Sequence, residues 1–281
     1  MSNTANTDTD GVSRRSILAG LGVGAGIVGL GGVSAAQAAL LPEPEASETY
    51  DVVVIGSGLA GCAAALEAAL AGKRVIVLEK AGQNRMGGSS LLAGGTLVVP
   101  GEETAESRAA FVEDFENFCL GRGNSEIFTL MAEKAGEDIA WLESFGGEIR
   151  PIQPRLPTRV WNRFFDNMPR FFRTMRERIV EHGGAFAFDT KARQLIMDER
   201  GGVAGVRAVG RNGVVDYRAA AVVIAAGGYG RNTAILEGYT DPNGGALRYS
   251  GVEWSTGDGL ILAQAAGAGL TGMGGIMGVH V

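Results

Sequence analysis

Asp51-Val52-Val53-Val54-Ile55-Gly56-Ser57-Gly58-Leu59-Ala60-Gly61 decides the fold, together with Arg74-Val75-Ile76-Val77-Leu78-Glu79 a little further on. The β-branched run 52–55 is long enough for one buried parallel strand, and the residues from Cys62 to Ala71 continue without a break as an Ala-rich helix. A second apolar run then ends in an acid, so strand, glycine turn, helix, strand and carboxylate fall within a unit of about thirty residues. A G-x-G-x-x-G alone is weak evidence; in this setting it is a dinucleotide-binding fingerprint. Gly56 permits the tight turn, Gly58 lets the backbone approach a pyrophosphate, and Gly61 lets the helix pack on the strand. Ser57, Leu59 and Ala60 complete the turn, and the helix start offers unpaired N–H groups and partial positive charge to the phosphates. Glu79 is placed to accept hydrogen bonds from an adenosine ribose hydroxyl, with Lys80 next to it. The plainer alternative is a glycine turn in an α/β domain that holds no ligand.

Composition narrows the partners. The chain has 281 residues, 46% of them hydrophobic, enough for one large domain or two ordinary ones. A formal charge of -6 and a pI near 5.1 leave no broad cationic surface for a phosphate backbone, which argues against nucleic acid and for a small-molecule substrate. The 45 glycines have no collagen period and cluster between apolar runs, as expected where backbone approaches a ligand. Only Cys62 and Cys119 are present, in no metal-binding spacing, so no metal, haem or iron–sulfur site is expected, and both read as small core residues.

The first residues read as an address. Ser13-Arg14-Arg15-Ser16-Ile17-Leu18 matches the twin-arginine export pattern; a weakly apolar run to Val33 follows, and then the small-residue cleavage signal Ala36-Gln37-Ala38. The run is short and glycine-rich, so a permanent membrane span is not expected. We therefore expect a Tat signal peptide over 1–38, a Pro- and Glu-containing linker over 39–50, and a protein outside the cytoplasm, in the periplasm or on the exterior of the cell envelope.

Downstream, Gly87-Gly88-Ser89-Ser90-Leu91-Leu92-Ala93-Gly94-Gly95 resembles a segment of the superfamily that holds fumarate reductase and succinate dehydrogenase flavoproteins, aspartate oxidase and 3-ketosteroid dehydrogenases. The resemblance implies that this loop, with Gly87, Gly88, Ser89, Ser90, Gly94 and Gly95, wraps the pyrophosphate and isoalloxazine of FAD. Members that attach FAD covalently carry a His here, where this chain has Ser89 and Ser90, so the implied cofactor is non-covalent FAD. Ala226-Gly227-Gly228-Tyr229-Gly230 looks like the family turn beside the adenosine and pyrophosphate, and Thr190-Lys191-Ala192 like the segment whose backbone, at Ala192, meets the adenine. Thr256-Gly257-Asp258-Gly259 matches the family T-G-D-G, where the Asp lies against FAD; an acid capping a helix N-terminus is the simpler role for Asp258.

The fold class expected is α/β: a Rossmann-like FAD-binding domain of glutathione-reductase type, a parallel sheet plus β-meander, with a helical insertion. The domain is expected over 51–110 and 186–265, the mostly helical insertion over 111–185, and the start of a substrate or capping region over 266–281, cut short. Within it, three meander strands are read at Gln194–Met197, Val203–Val209 and Val214–Arg218, and a separate buried strand at Ala221–Ala225. The aromatic and basic cluster Arg155, Arg159, Trp161, Arg163, Phe164 and Phe165 either lines a substrate approach or is helix packing with solvated charge.

What the resemblance implies for chemistry is a flavin oxidoreductase acting on CH–CH or activated C=C bonds. The leading expectation is reduction of an unsaturated carboxylate of fumarate type, with electrons from a cytochrome or quinol partner. The alternatives are a ketosteroid or polycarboxylate dehydrogenase, for which Gly94 to Pro100 is similar to the ketosteroid enzymes, and a truncated FAD-binding fragment without turnover. No catalytic acid is assigned. His280 is the single substrate-binding candidate, against the reading of a terminal or core histidine.

Overall fold

The computed structural model describes residues 41–93, 95–152, 161–165, 167–240, 243, 246 and 248–275. The expected signal peptide, Gly94 and His280 lie outside the described residues, as do Arg155 and Arg159.

Strand β1 (Ala46–Ile55) leads through the glycine turn into helix α1 (Leu59–Leu70), which returns to strand β2 (Val75–Leu78). Their parallel pairing puts Val52 against Val75 and Ile55 against Leu78. Next come a one-turn 3-10 segment (Gln83–Arg85), the short helix α2 (Gly88–Leu92) and strand β3 (Thr96–Val99). Helices α3 (Ala105–Phe118) and α4 (Ser125–Ser144), strands β4 (Ile149–Ile152) and β5 (Trp161–Phe165), and helix α5 (Met168–Glu181) make up the long excursion. The chain returns as β6 (Ala185–Ala187), β7 (Lys191–Met197), β8 (Val203–Gly210) and β9 (Gly213–Ile224), and then adds α6 (Thr233–Tyr239) and α7 (Asp258–Ala265).

The main sheet runs β6-β2-β1-β9-β8-β7, parallel from β6 to β9 and antiparallel through the meander. Alternation along the strands splits the core between two faces. Val54, Val75 and Val77 pack with Cys62, Ala65 and Leu66 of α1 and with Phe172, Met175 and Ile179 of α5. Val53, Ile55, Ile76 and Leu78 point the other way, against Leu195, Val206 and Tyr217 of the meander and Leu262 of α7. With both faces covered, the strand ends are left as the place where a ligand can enter.

Three boundaries differ from expectation. Strand β1 begins at Ala46, inside the stretch read as linker, because residues 46–50 pair with Val215 to Ala219 of the long β9. The third meander strand and the buried strand after it are one strand, β9, which bonds β8 on one edge and β1 on the other. The excursion is less purely helical than expected, since β4 and β5 join β3 in a second, three-stranded antiparallel sheet. Its last helix, α5, packs on α1 and so belongs to the nucleotide-binding layer. Among the described residues no helix is long and apolar enough to cross a membrane.

Candidate functional site

A cleft of about 430 Å³ opens where β1, β2 and β9 end and α1 begins. The fingerprint turn forms its floor through Gly56, Ser57, Gly58, Leu59 and Ala60, while Glu79, Lys80, Gly88, Ser89, Ser90, Ala192, Ala226, Gly227 and Asp258 stand on its walls. Residues chosen from six separate stretches of sequence thus meet around one space. Gly61, Gly87 and Gly95 do not line it. Gly61 acts from below: a Cβ there would lie 1.9 Å from the Gly56 carbonyl oxygen, so only glycine lets α1 sit this close to the turn. Gly87 packs against the Phe172 ring, and Gly95 lies past the end of α2.

The turn is built to receive an anion. Gly58 is the N-cap of α1 and offers no side-chain cap, and Leu59 N–H is the first-turn donor engaged by a side chain, the Ser90 hydroxyl at 3.2 Å. A Cβ on Gly58 would meet nothing nearer than Gly87 O and Ser90 Oγ at 3.7 Å, so the space above it belongs to the cleft. Glu79 is 7% exposed, and its carboxylate accepts from Ser57 N–H at 2.9 Å, Ser57 Oγ at 2.6 Å and Ala81 N–H at 2.7 Å. Those bonds fix the acid at the end of β2 and leave one of about four lone-pair directions for a further donor, as a ribose hydroxyl would supply. Cys62 lies beneath the turn with its thiol donating to the Ser57 carbonyl oxygen at 3.3 Å; burial pushes its pKa up to about 12, and Glu79 adds to the shift.

Asp258 is not the N-cap of α7. That position is Gly257, and the Asp carboxylate turns away to two cations: Lys80 Nζ at 2.6 Å on Oδ2 and Lys191 Nζ at 2.9 Å on Oδ1. Burial alone would raise its pKa, but hydrogen bonds and charge from the two lysines outweigh it and hold the carboxyl below its ordinary range. Lys191 was missed because the sequence comparison concerned only the backbone at Ala192; a lone acid beside one lysine in a charged cleft was the available signal for a second cation.

Trp254 and Ser255, also missed, line the cleft immediately before the T-G-D-G. They belong to a seam. Arg85 pairs with Glu253 and lies over the Trp254 ring at 5.5 Å, Ser89 Oγ is 3.3 Å from Ser255 Oγ, and Lys80 Nζ donates to Thr256 Oγ1 at 2.8 Å. No stretch of local sequence announces contacts across so many residues. For the aromatic and basic cluster, Trp161 to Phe165 form β5, and the backbone places them beside β3 and β4.

The FAD binding domain family matches residues 51–277, which is most of the chain and all of the cleft. The chain belongs to this family. Relatives of this FAD-binding domain include a probable fumarate reductase of Shewanella frigidimarina, 28% identical over 237 residues, covering 80% of this chain and 40% of the relative. A urocanate reductase of Eggerthella lenta is 30% identical over 259 residues, covering 82% and 40% respectively. Among solved structures, the open conformation of a flavocytochrome c3 fumarate reductase superposes with a TM-score of 0.71 at 26% identity, over 96% of this chain and 46% of that one. A 3-ketosteroid dehydrogenase of Rhodococcus jostii shares the fold at a TM-score of 0.66 and 24% identity. The chain spans about 40% of the length of these curated relatives.

The cleft fits the cofactor its family is named for. The uncapped start of α1 has the chemistry to take a pyrophosphate, the fixed Glu79 carboxylate that to accept from a sugar hydroxyl, and Lys80 and Lys191 bring positive charge to the cleft. Among the described residues no cluster of His, Cys, Asp or Glu stands ready to hold a metal.

Proposed function

We propose that this chain is the cofactor-binding part of a flavin reductase that saturates an activated carbon–carbon double bond next to a carboxylate. The observation that carries the reading is the match of residues 51–277 to the FAD binding domain together with the cleft those residues form. Likeness to enzymes named for reducing fumarate and urocanate supports the substrate class. Bound flavin supplies hydride chemistry; the chain's own part is to seat it, through the α1 start for the pyrophosphate, Glu79 for the ribose, and the Lys80–Asp258–Lys191 cluster for charge balance.

FAD is held without a covalent link in this proposal, because the loop positions that carry the linking histidine elsewhere are Ser89, turned to Ser255, and Ser90, turned to Leu59 N–H. Export by the Tat route and electron delivery from a cytochrome or quinol are part of the same proposal; the twin arginines at 14 and 15 support the first, and likeness to a relative named as a cytochrome fumarate reductase supports the second.

The test is anaerobic. Purified chain is denatured and its supernatant inspected for free flavin, and native chain is then reduced with a viologen and mixed with fumarate, urocanate or a 3-ketosteroid. The proposal expects released FAD and reoxidation by the unsaturated acids. Reoxidation by the ketosteroid alone would favour the steroid alternative, and flavin-loaded protein that stays bleached with every acceptor would leave a cofactor-binding chain without turnover of its own.

A further inference from the structure

The hydrogen bonds of the fingerprint turn give the cleft a direction. Ser57 bonds Glu79, the ribose end, while two residues on Leu59 bonds Ser90, whose neighbour Ser89 meets Ser255, and Ser89, Ser90, Trp254 and Ser255 line the cleft together. If the adenosine sits at Glu79 and the pyrophosphate at the α1 start, as the FAD reading on which this inference rests requires, the isoalloxazine lies beyond Leu59 toward Ser90 and the residues that line the cleft with it. Trp254 is the aromatic residue among those lining the cleft. Its indole is half-buried and held from behind: the Arg85 guanidinium lies 5.5 Å from the ring centroid and is itself anchored by Glu253, the preceding residue. The flanking Ser255 is buried and meets Ser89. An exposed tryptophan would be free to swing; this one has the Arg85 guanidinium against its ring, and Glu253 holds that guanidinium by an ion pair.

We propose that Trp254 is the side chain against which the flavin ring packs, and that Arg85 is a positioning residue that sets the indole plane. Stacking of two flat π systems is worth about 0.5–1.5 kcal/mol beyond the area it buries. It also has an optical signature that simple packing lacks. An indole in contact with a photoexcited flavin passes it one electron and takes it back, so emission is lost with no net redox change.

The experiment uses the full chain loaded with FAD and compares flavin emission, normalised to bound flavin, in the parent protein and in Trp254→Leu, Trp254→Phe and Arg85→Gln. Trp141→Phe serves as the control, since Trp141 lies on α4 with its indole N–H donating to Glu67 and does not line the cleft. The parent protein is expected to be dim, and Trp254→Leu to brighten severalfold with a lengthened lifetime. Arg85→Gln should split the lifetime into two populations that Arg85→Lys restores to one. If Trp254→Leu loses its flavin, Trp254→Phe decides, since it keeps a ring but not the easily oxidised indole, and it must brighten. Emission as dim in Trp254→Phe or Trp254→Leu as in the parent, at equal flavin content, overturns the inference. A parent protein that carries no flavin after supply of excess FAD would instead sink the FAD reading, so the two failures are distinguishable.

Discussion

Asp258 is a carboxylate between two ammonium groups, and its titration decides when that arrangement holds. Its pKa is lowered from the ordinary 3.8, so the folded chain binds this proton less readily than the unfolded chain. The stabilisation is complete above the ordinary value and is lost as pH falls through the depressed one. Asp258→Asn leaves Lys80 and Lys191 facing each other without their counter-charge. We expect it to cost roughly 1–2 kcal/mol at neutral pH, between the limits for exposed and buried pairs, and to converge with the parent in acid; thermal melts across that range measure the convergence. Equal losses at all pH values would contradict it. Cys62 gives a second residue-scale outcome. It is fully buried, with its thiol pushed up to about 12, whereas Cys119 is partly exposed. A disulfide-exchange reagent is expected to modify one thiol per native chain and both of the two after denaturation.

At the scale of elements, the strand–turn–helix unit separates folding from binding within three residues. Gly61→Ala drives a Cβ to 1.9 Å from the Gly56 carbonyl oxygen, and neither backbone has room to retreat. The loss expected is about 3 kcal/mol or more, at the top of the overpacking range, read as a fall in denaturant midpoint. Gly58→Ala meets protein atoms only at 3.7 Å, so the unliganded chain should keep its stability to within about 1 kcal/mol. Its FAD affinity should instead fall roughly tenfold or more, the equivalent of about 1.4 kcal/mol. The unit was readable from sequence because each of its signals is local: a β-branched run, three spaced glycines, an Ala-rich helix and a closing acid. Strand β9 was not. Its change of role, from meander partner of β8 to parallel partner of β1, happens in one extended run, and Ala219-Ala220 looks like a break only until the neighbouring strand is present. Likewise α5 reads as one more amphipathic helix, and nothing in its own residues says that its Phe172, Met175 and Ile179 cover α1.

Across the whole molecule, the cleft depends on a seam that sequence could not show. Lys80, Arg85 and Ser89 reach Glu253 through Asp258 over a separation of up to 178 residues. Motifs on either side were visible, but which side chains joined them was a matter of tertiary distance, and so Lys191 and Trp254 escaped notice while Glu79 and Asp258 did not. If the seam acts as a unit, amide exchange in 83–91 and 252–260 should slow together when FAD binds, and Arg85→Gln should uncouple them. Protection gained in one segment alone would show that they are independent. The seam also imposes an order in time. Chains emerge amino terminus first, and at about 5–20 residues per second roughly 10–35 s pass between the synthesis of Lys80 and that of Asp258. Through most of that interval the nascent chain displays the phosphate-binding turn without β9 beside it and without the segment from Trp254 to Asp258, so cofactor loading awaits their late arrival.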